Sequence, residues 1–337
     1  VPGQPSTALA QGRIQKSITD RISPVSSPQA IIDNRRGIIA MLCASLFFIT
    51  NDTVIKLASD VFSTSQMMAV RGVFSTSFAL IIVVALGQTR HLRKLASPLV
   101  ALRATLEATV AFLFITALAL LPLANVTAIL QSTPIIMTLM LVALGLERVG
   151  WRRWGAILVG FAGVLLIVQP SPEGFNISVL FALSAAVLVS IRDLVTRRIA
   201  DDIPSPVIAA STTMAVGLAG FVIGFVRGEE WAPFLVPEVT YLVVAAALVT
   251  MANLAIVMAF RNVEVSVVSP FRYAVVIFAL IVGYLVFGDL PNFVAMAGMA
   301  LVVGAGVYTI HREHVRRRQI SALSVARPET TGGEARR

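Results

Sequence analysis

Apolar residues along this chain fall into blocks of about twenty, each long enough to cross about 30 Å of hydrocarbon as a helix. Short polar breaks separate them, and the pattern predicts spans at 36–57, 64–86, 98–120, 124–145, 151–169, 177–196, 205–225, 239–260, 265–287 and 293–311, with nine as the alternative count. The breaks at Leu121 to Leu123 and at Arg261 to Glu264 hold little more than a turn. Helices 3 and 4, and helices 8 and 9, are therefore expected to be antiparallel neighbours. The predicted fold class is an all-α membrane protein of ten transmembrane helices. Outside the blocks, residues 1–34 are rich in Ser, Pro, Gln and Gly and are expected to form a disordered cytoplasmic tail. Residues 312–337 read as a basic cytoplasmic tail.

Composition supports the membrane assignment: 57% of residues are hydrophobic and only 13% charged, against roughly 45–50% apolar and 25% charged in soluble domains. The net charge of +9 would suggest a nucleic-acid partner if it lay on a polar surface. It lies instead in short runs between apolar blocks, where it reports topology. Threading ten helices puts fifteen basic residues on one side, from Arg35-Arg36, Arg90/Arg93/Lys94, Arg148/Arg152/Arg153, Arg197-Arg198, Arg261 and Arg312/Arg316/Arg317/Arg318. The opposite loops hold only Arg227, with Lys56 at a helix end. Because cytoplasmic loops carry the excess of Lys and Arg, both termini are expected in the cytoplasm and the protein in the cell (inner) membrane. The single cysteine, Cys43, excludes an intramolecular disulfide and reads as a small packing residue.

The chain also repeats itself. A shift of about 141 residues sets Asn51-Asp52-x-x-x-Lys56 on Arg192-Asp193-x-x-x-Arg197, each closing the first helix of a half. One residue more sets Gly145-Leu146-Glu147 on Phe287-Gly288-Asp289, each closing a fourth helix. Five helices per half is an odd number, so the second copy is expected to enter the membrane upside down, as inverted repeats at 36–169 and 177–311. Secondary transporters built this way hold their solute between the halves near midplane. Small residues at helix spacing, such as Gly160 and Gly163, Gly220 and Gly224, and Gly304 and Gly306, suit close helix packing.

Two five-helix halves, with Leu144-Gly145-Leu146-Glu147 through Gly163 in one and Ser269-Pro270-Phe271-Arg272-Tyr273 through Gly288-Asp289-Leu290-Pro291 in the other, resemble the EamA-type drug/metabolite transporter superfamily. The resemblance covers about residues 36–311. It implies a carrier with a central cavity and alternating access for amino acids, nucleotide-like metabolites or vitamins. The opening from Arg36-Gly37 to Asn51-Asp52, Arg71-Gly72 in helix 2 and Pro270-Phe271-Arg272-Tyr273 in helix 9 are similar to a branch containing organic-cofactor uptake carriers. Riboflavin uptake is the leading expectation, and export of amino acids or related metabolites the alternative.

Charged side chains inside spans must face protein or water, since each costs about 2.5–3.5 kcal/mol at a helix centre on the insertion scale. They are Asp52, Lys56, Arg71, Arg103, Glu107, Arg192, Asp193 and Arg272. Arg103 and Glu107 stand four apart and are expected to pair along one helix. Glu107 lies about 14 Å in from Pro98, near midplane, where a proton-coupled carrier would need an acid. Arg71 is expected beside Asp52 as an outer gate, and Arg272 within reach of Arg192 and Asp193. Guanidinium forks there suit carbonyl, carboxylate or phosphate oxygens, while snorkelling to the nearer surface is the alternative. Gln131, Asn253 and Tyr273 offer uncharged contacts for a heterocycle, or bonds between helices. Pro134 and Pro270 are expected helix breaks that free a carbonyl. Trp151, Trp154 and Trp231 fit interfacial anchors.

The sequence argues against other classes. His91, His311 and His314 all lie away from the middle of the spans, and no Ser-His or metal-spaced cluster appears. No catalytic residues, metal ligands or cofactor are therefore expected, which leaves a membrane-embedded enzyme without support. A channel would need more polar residues on any one helix, and the Gly-x-x-x-x-Gly-Lys-Ser/Thr loop of ATP-driven proteins is absent. The expected partners are the bilayer and a small organic solute, with no nucleic acid.

Overall fold

The computed structural model describes residues 28–146, 150–169, 177–196, 198–199, 203–234, 236–260 and 265–325. Among them there is no β-strand. In chain order the helices are α1 (Pro28–Ala58), α2 (Thr64–Ala85), α3 (Pro98–Leu120), α4 in two pieces (Leu123–Leu130 and Thr133–Ala143), α5 (Trp151–Val168), α6 (Ile177–Thr196), α7 (Ser205–Arg227) and α8 (Val239–Ala259). They are followed by α9, which winds as Val265–Val268, a 3-10 turn at Ser269–Tyr273 and Ala274–Phe287, and by α10 (Phe293–Val325).

Nine of these, counting each broken helix as one apolar stretch, are long and apolar enough to cross a bilayer among the described residues. The tenth, α5, is 18 residues long, about 27 Å of helix, and its stretch Trp154–Val168 is apolar. At the ends, α1 begins at Pro28 and α10 runs on to Val325, so helix extends into both segments expected to be tails. A helix already formed in the span propagates with one hydrogen bond gained per residue fixed, without a new nucleus. Residues 1–27 and 326–337, with Glu147, Arg148, Arg197 and Arg261, lie outside the described residues.

The outer faces are apolar, the reverse of a water-soluble protein. Phe225 is 88% exposed, Phe293 81% and Leu285 73%, an arrangement that hydrocarbon stabilises. Cys43 is exposed as well. It stands between exposed Ile39 and Leu46 on α1, so it faces outward rather than filling the packing gap expected of it.

Inside, backbones come close where side chains are small. At the crossing of α2 and α7, a Cβ placed on Gly72 would lie 2.3 Å from the Gly217 Cα, and one on Gly220 2.4 Å from the Ala69 nitrogen. Thr76 donates to Thr213 at 3.1 Å in the same seam. Numbers rise along one helix as they fall along the other, so the two run antiparallel. The same holds for α5 and α10: Gly163 and Gly298 meet, and Gln169 and Asn292 exchange amide hydrogen bonds of 2.7 and 2.8 Å at the end of the seam.

Helix pairing repeats across the chain. α1 packs on α8 and α3 on α6; α3 packs on α7 and α2 on α8; α2 packs on α7, α4 on α9 and α5 on α10. Exchanging each helix for the one five places on leaves this pattern unchanged. Gly145 and Gly288, with φ of 68° and 69°, terminate α4 and α9 in the left-handed conformation that glycine adopts without a Cβ penalty. Gly145 is thus the partner of Gly288, one residue from the register read in the sequence.

Candidate functional site

Six charged side chains from four helices meet inside the bundle. Arg192 on α6 donates to Glu107 Oε2 on α3 at 2.6 Å, and its other nitrogens donate to Asp193 Oδ1 at 2.7 and 3.0 Å. Arg103, one turn before Glu107, donates to Thr196 at 2.9 Å and to Thr212 on α7 at 2.9 Å. The expected Arg103–Glu107 ion pair is therefore replaced. Because α3 and α6 run antiparallel, each α3 charge finds a partner directly across the seam, and Glu107 goes to Arg192 while Arg103 takes hydroxyls. Charge–charge coupling between Arg103 and Glu107 remains.

Arg71 on α2 has no hydrogen bond or ion pair among the described residues. The opposite charges acting on it are Asp52 on α1 and Glu107 on α3. Asp52 accepts one hydrogen bond, from Asn51 Nδ2 at 2.9 Å. The cluster is open, not sealed: the side chains of Arg192, Glu107 and Asp193 keep 19%, 27% and 39% of their surface. It combines three guanidinium groups with three carboxylates.

A second feature adjoins it. α4 breaks at Gln131-Ser132, with Pro134 in the first turn of the segment that follows, and α9 winds as a 3-10 turn at Ser269–Tyr273, with Pro270 in the first turn of that winding. The two breaks touch, since Gln131 Nε2 donates to the Arg272 carbonyl at 3.4 Å. Ser190, just before Arg192, donates to the Thr133 carbonyl at 3.2 Å and so joins the break to the charged cluster. The 3-10 winding buries Ser269 and Tyr273 and leaves Phe271 and Arg272 exposed. Among the described residues Arg272 makes no ion pair with Asp193. The Tyr273 ring lies over Gly306, where an added Cβ would come within 1.9 Å of its hydroxyl, and among the described residues that buried hydroxyl has no partner. Asn253 stands apart: it is exposed on α8 and donates to its own helix, at Val249 O, 2.8 Å away.

Several structural roles carried no sequence signal. Lys56 donates to the carbonyls of Leu118 and Leu121 at 3.0 and 2.7 Å and lies 5.4 Å from the Phe287 ring centroid. It thereby satisfies the end of α3, where unpaired carbonyls gather. Gln66, fully buried, exchanges two hydrogen bonds with the Ala232 backbone, at 2.7 and 2.9 Å. Trp231 packs on Gly224 and donates to Ser65 at 3.1 Å, while Ser65 also donates to Glu229. Trp231 is thus part of a loop fastened to the start of α2, not a free interfacial anchor. Trp151, 78% exposed beside Arg152, does fit one. Among the described residues no three His, Cys, Asp or Glu side chains are grouped to hold a metal ion.

Similarity to known proteins fits this arrangement. The profile of the EamA-like transporter family matches twice, at residues 35–169 and 176–310. A riboflavin transporter of Vibrio cholerae is 28% identical over 80% of this chain and 90% of its own length. An S-adenosylmethionine uptake transporter of Rickettsia bellii is 23% identical over 58% of this chain, which spans 66% of that relative. A pseudopaline exporter of Pseudomonas aeruginosa is 23% identical over 80% of this chain and 94% of the exporter. A solved crystal structure superposes with a TM-score of 0.58 at 18% identity, covering 83% of this chain and 98% of the other, and so shares the fold. With two copies of the family unit covering most of its length, this multi-pass membrane protein belongs to the EamA-like transporter family.

Proposed function

We propose that this protein is a secondary carrier that moves a small organic metabolite across the inner membrane by alternating access, with riboflavin uptake as its leading activity. The observation that carries the reading is Arg71. Among the described residues its guanidinium donates no hydrogen bond, whereas Arg192 donates three and Arg103 two. An unpaired guanidinium in low dielectric is costly, and a solute carbonyl would satisfy it. Asp52, Glu107, Arg103, Gln131 and Tyr273 line or support the site on this reading, and Pro134 and Pro270 shape it. The riboflavin choice leans on the relative of that name, which aligns over most of both chains. The pseudopaline exporter keeps export of an amino-acid-like metabolite as the second reading.

The architecture we infer is ten spans in two inverted repeats, residues 36–169 and 177–311, with both termini cytoplasmic. Antiparallel contact between α2 and α7, and between α5 and α10, supports it, because equivalent helices run in opposite directions only when the halves are inverted. The short α5 crosses alongside α10, its partner over the whole seam.

Purified protein in liposomes loaded with riboflavin should take up labelled riboflavin by saturable counterflow, and Arg71→Gln should abolish it. Counterflow of amino acids without flavin exchange would favour the second reading, and linear, non-saturating flux would overturn the carrier assignment.

A further inference from the structure

The charge inventory of the cluster constrains what enters it. Arg71, Arg103 and Arg192 face Asp52, Glu107 and Asp193, three cations against three anions. Arg192 pairs with Glu107 and Asp193; Arg103, one turn before Glu107, donates to Thr196, one turn after Arg192; and Arg71 lies under the opposite charges of Asp52 and Glu107. Arg272 lies on the exposed side of the α9 turn and carries no ion pair to the set. Lys56 is spent on the end of α3. A solute therefore meets Arg71, the guanidinium of the three that donates no hydrogen bond among the described residues, and, on Asp52, a carboxylate that accepts a single side-chain hydrogen bond, within a site whose formal charges sum to zero.

We propose that the site selects solutes of zero net charge that present an acceptor to Arg71 and a donor to Asp52, and that it rejects phosphorylated forms of the same solutes. The proposal rests on the carrier reading above. Two sources share this chemistry: the carbonyl and N–H edge of a neutral heterocycle, and the carboxylate and ammonium of an α-amino acid zwitterion. Either adds no net charge. A phosphate monoester brings close to two negative charges at neutral pH into a partly buried site whose own anions already balance its cations. Its extra charge then has no unshared partner, and the loss of hydration is not returned.

The test uses thermal unfolding of the purified full chain in detergent with matched pairs: riboflavin and flavin mononucleotide, adenosine and its monophosphate, serine and phosphoserine. A bound solute raises the unfolding temperature by mass action. The expected result is that at least one unphosphorylated member stabilises the protein and that its phosphate ester binds at least about tenfold more weakly. Asp52→Asn, which makes the set net positive, should narrow that gap by about tenfold. Asp193→Asn makes the same change of charge while Arg192 keeps Glu107, so it serves if Asp52→Asn fails to fold. Equal binding of both members of a responding pair overturns the selection rule. Response only in the adenosine or serine pair, with the phosphate ester rejected, supports the rule and overturns the riboflavin reading. No response in any pair overturns both.

Discussion

The contact of α3 with α6 and the contact of α1 with α8 occupy equivalent places in the two halves, yet they are built differently. Both are seams of small residues. Ala104, Ala111 and Ala185 are buried in the first, and at a shift of 141 residues Ala245, Ala252 and Ala44 are buried in the second. On this shared frame the first seam carries Arg103, Glu107, Arg192 and Thr196, where the second has Val244, Leu248, Asn51 and Ile55. Only Asp193 and Asp52 retain the same identity. The apolar seam shows that the charges are not needed to hold two such helices together. They are an addition to one copy, at a cost in insertion energy, and the proposed carrier reading gives that cost a purpose that packing alone does not.

The largest effect expected from breaking this difference comes at Glu107. Glu107→Leu installs the residue of the equivalent place in α8 and strips Arg192 of one carboxylate. Removing one partner of a fully buried pair costs about 3–5 kcal/mol; for this partly exposed pair the loss should be smaller, still visible as a fall in unfolding temperature in detergent, and transport should vanish. Adding Arg192→Asn rebuilds the seam in the image of its counterpart. Because a buried ion pair exchanged for neutral residues is often harmless to stability, the double variant should recover the unfolding temperature without recovering transport. A double variant that transports normally would show that the charges serve no solute.

Lys56 sharpens the comparison from the other side. It is the repeat partner of Arg197 and closes α1 by capping α3. Lys56→Met leaves the Leu118 and Leu121 carbonyls unpaired, for a loss of about 1.5–3 kcal/mol in the same melting assay. Lys56→Arg should restore most of it. Equal stability of Lys56→Met and the native protein would mean that these carbonyls find other donors.

How far the sequence revealed all this depended on the range of the interaction. Apolar blocks are local, so the all-helical fold and the duplication of its unit were legible, as were the interruptions near Pro134 and Pro270. Partner choice was misread where two partners competed. Arg103 and Glu107 sit one turn apart, the usual geometry of a helical pair, and only the antiparallel placement of α6 shows that Arg192 and Thr196 outbid that contact. Arg272 was drawn to the cluster by symmetry, but a 3-10 turn advances the side chains differently from an α-helix and leaves it exposed. Lys56, Gln66 and Trp231 bind backbone or side chains more than fifty residues away, for which one sequence holds no signal.

The glycines give a graded test of the frame that both seams share. Gly72→Ala forces a Cβ to within 2.3 Å of the Gly217 Cα, and since the obstacle is backbone, α2 and α7 must separate. Overpacking of this kind costs about 1–3 kcal/mol and should appear as a lower unfolding temperature. Gly304→Ala meets nothing within 4 Å, and as an exposed helical position it should gain up to about 1 kcal/mol from helix propensity. In a bilayer that gain shrinks, because a lipid-exposed backbone must stay helical whatever its propensity. The expected result is a rise of a degree or less in detergent and none in liposomes. If Gly304→Ala lowers stability as much as Gly72→Ala does, then close approach at the crossing is not what these small residues are for.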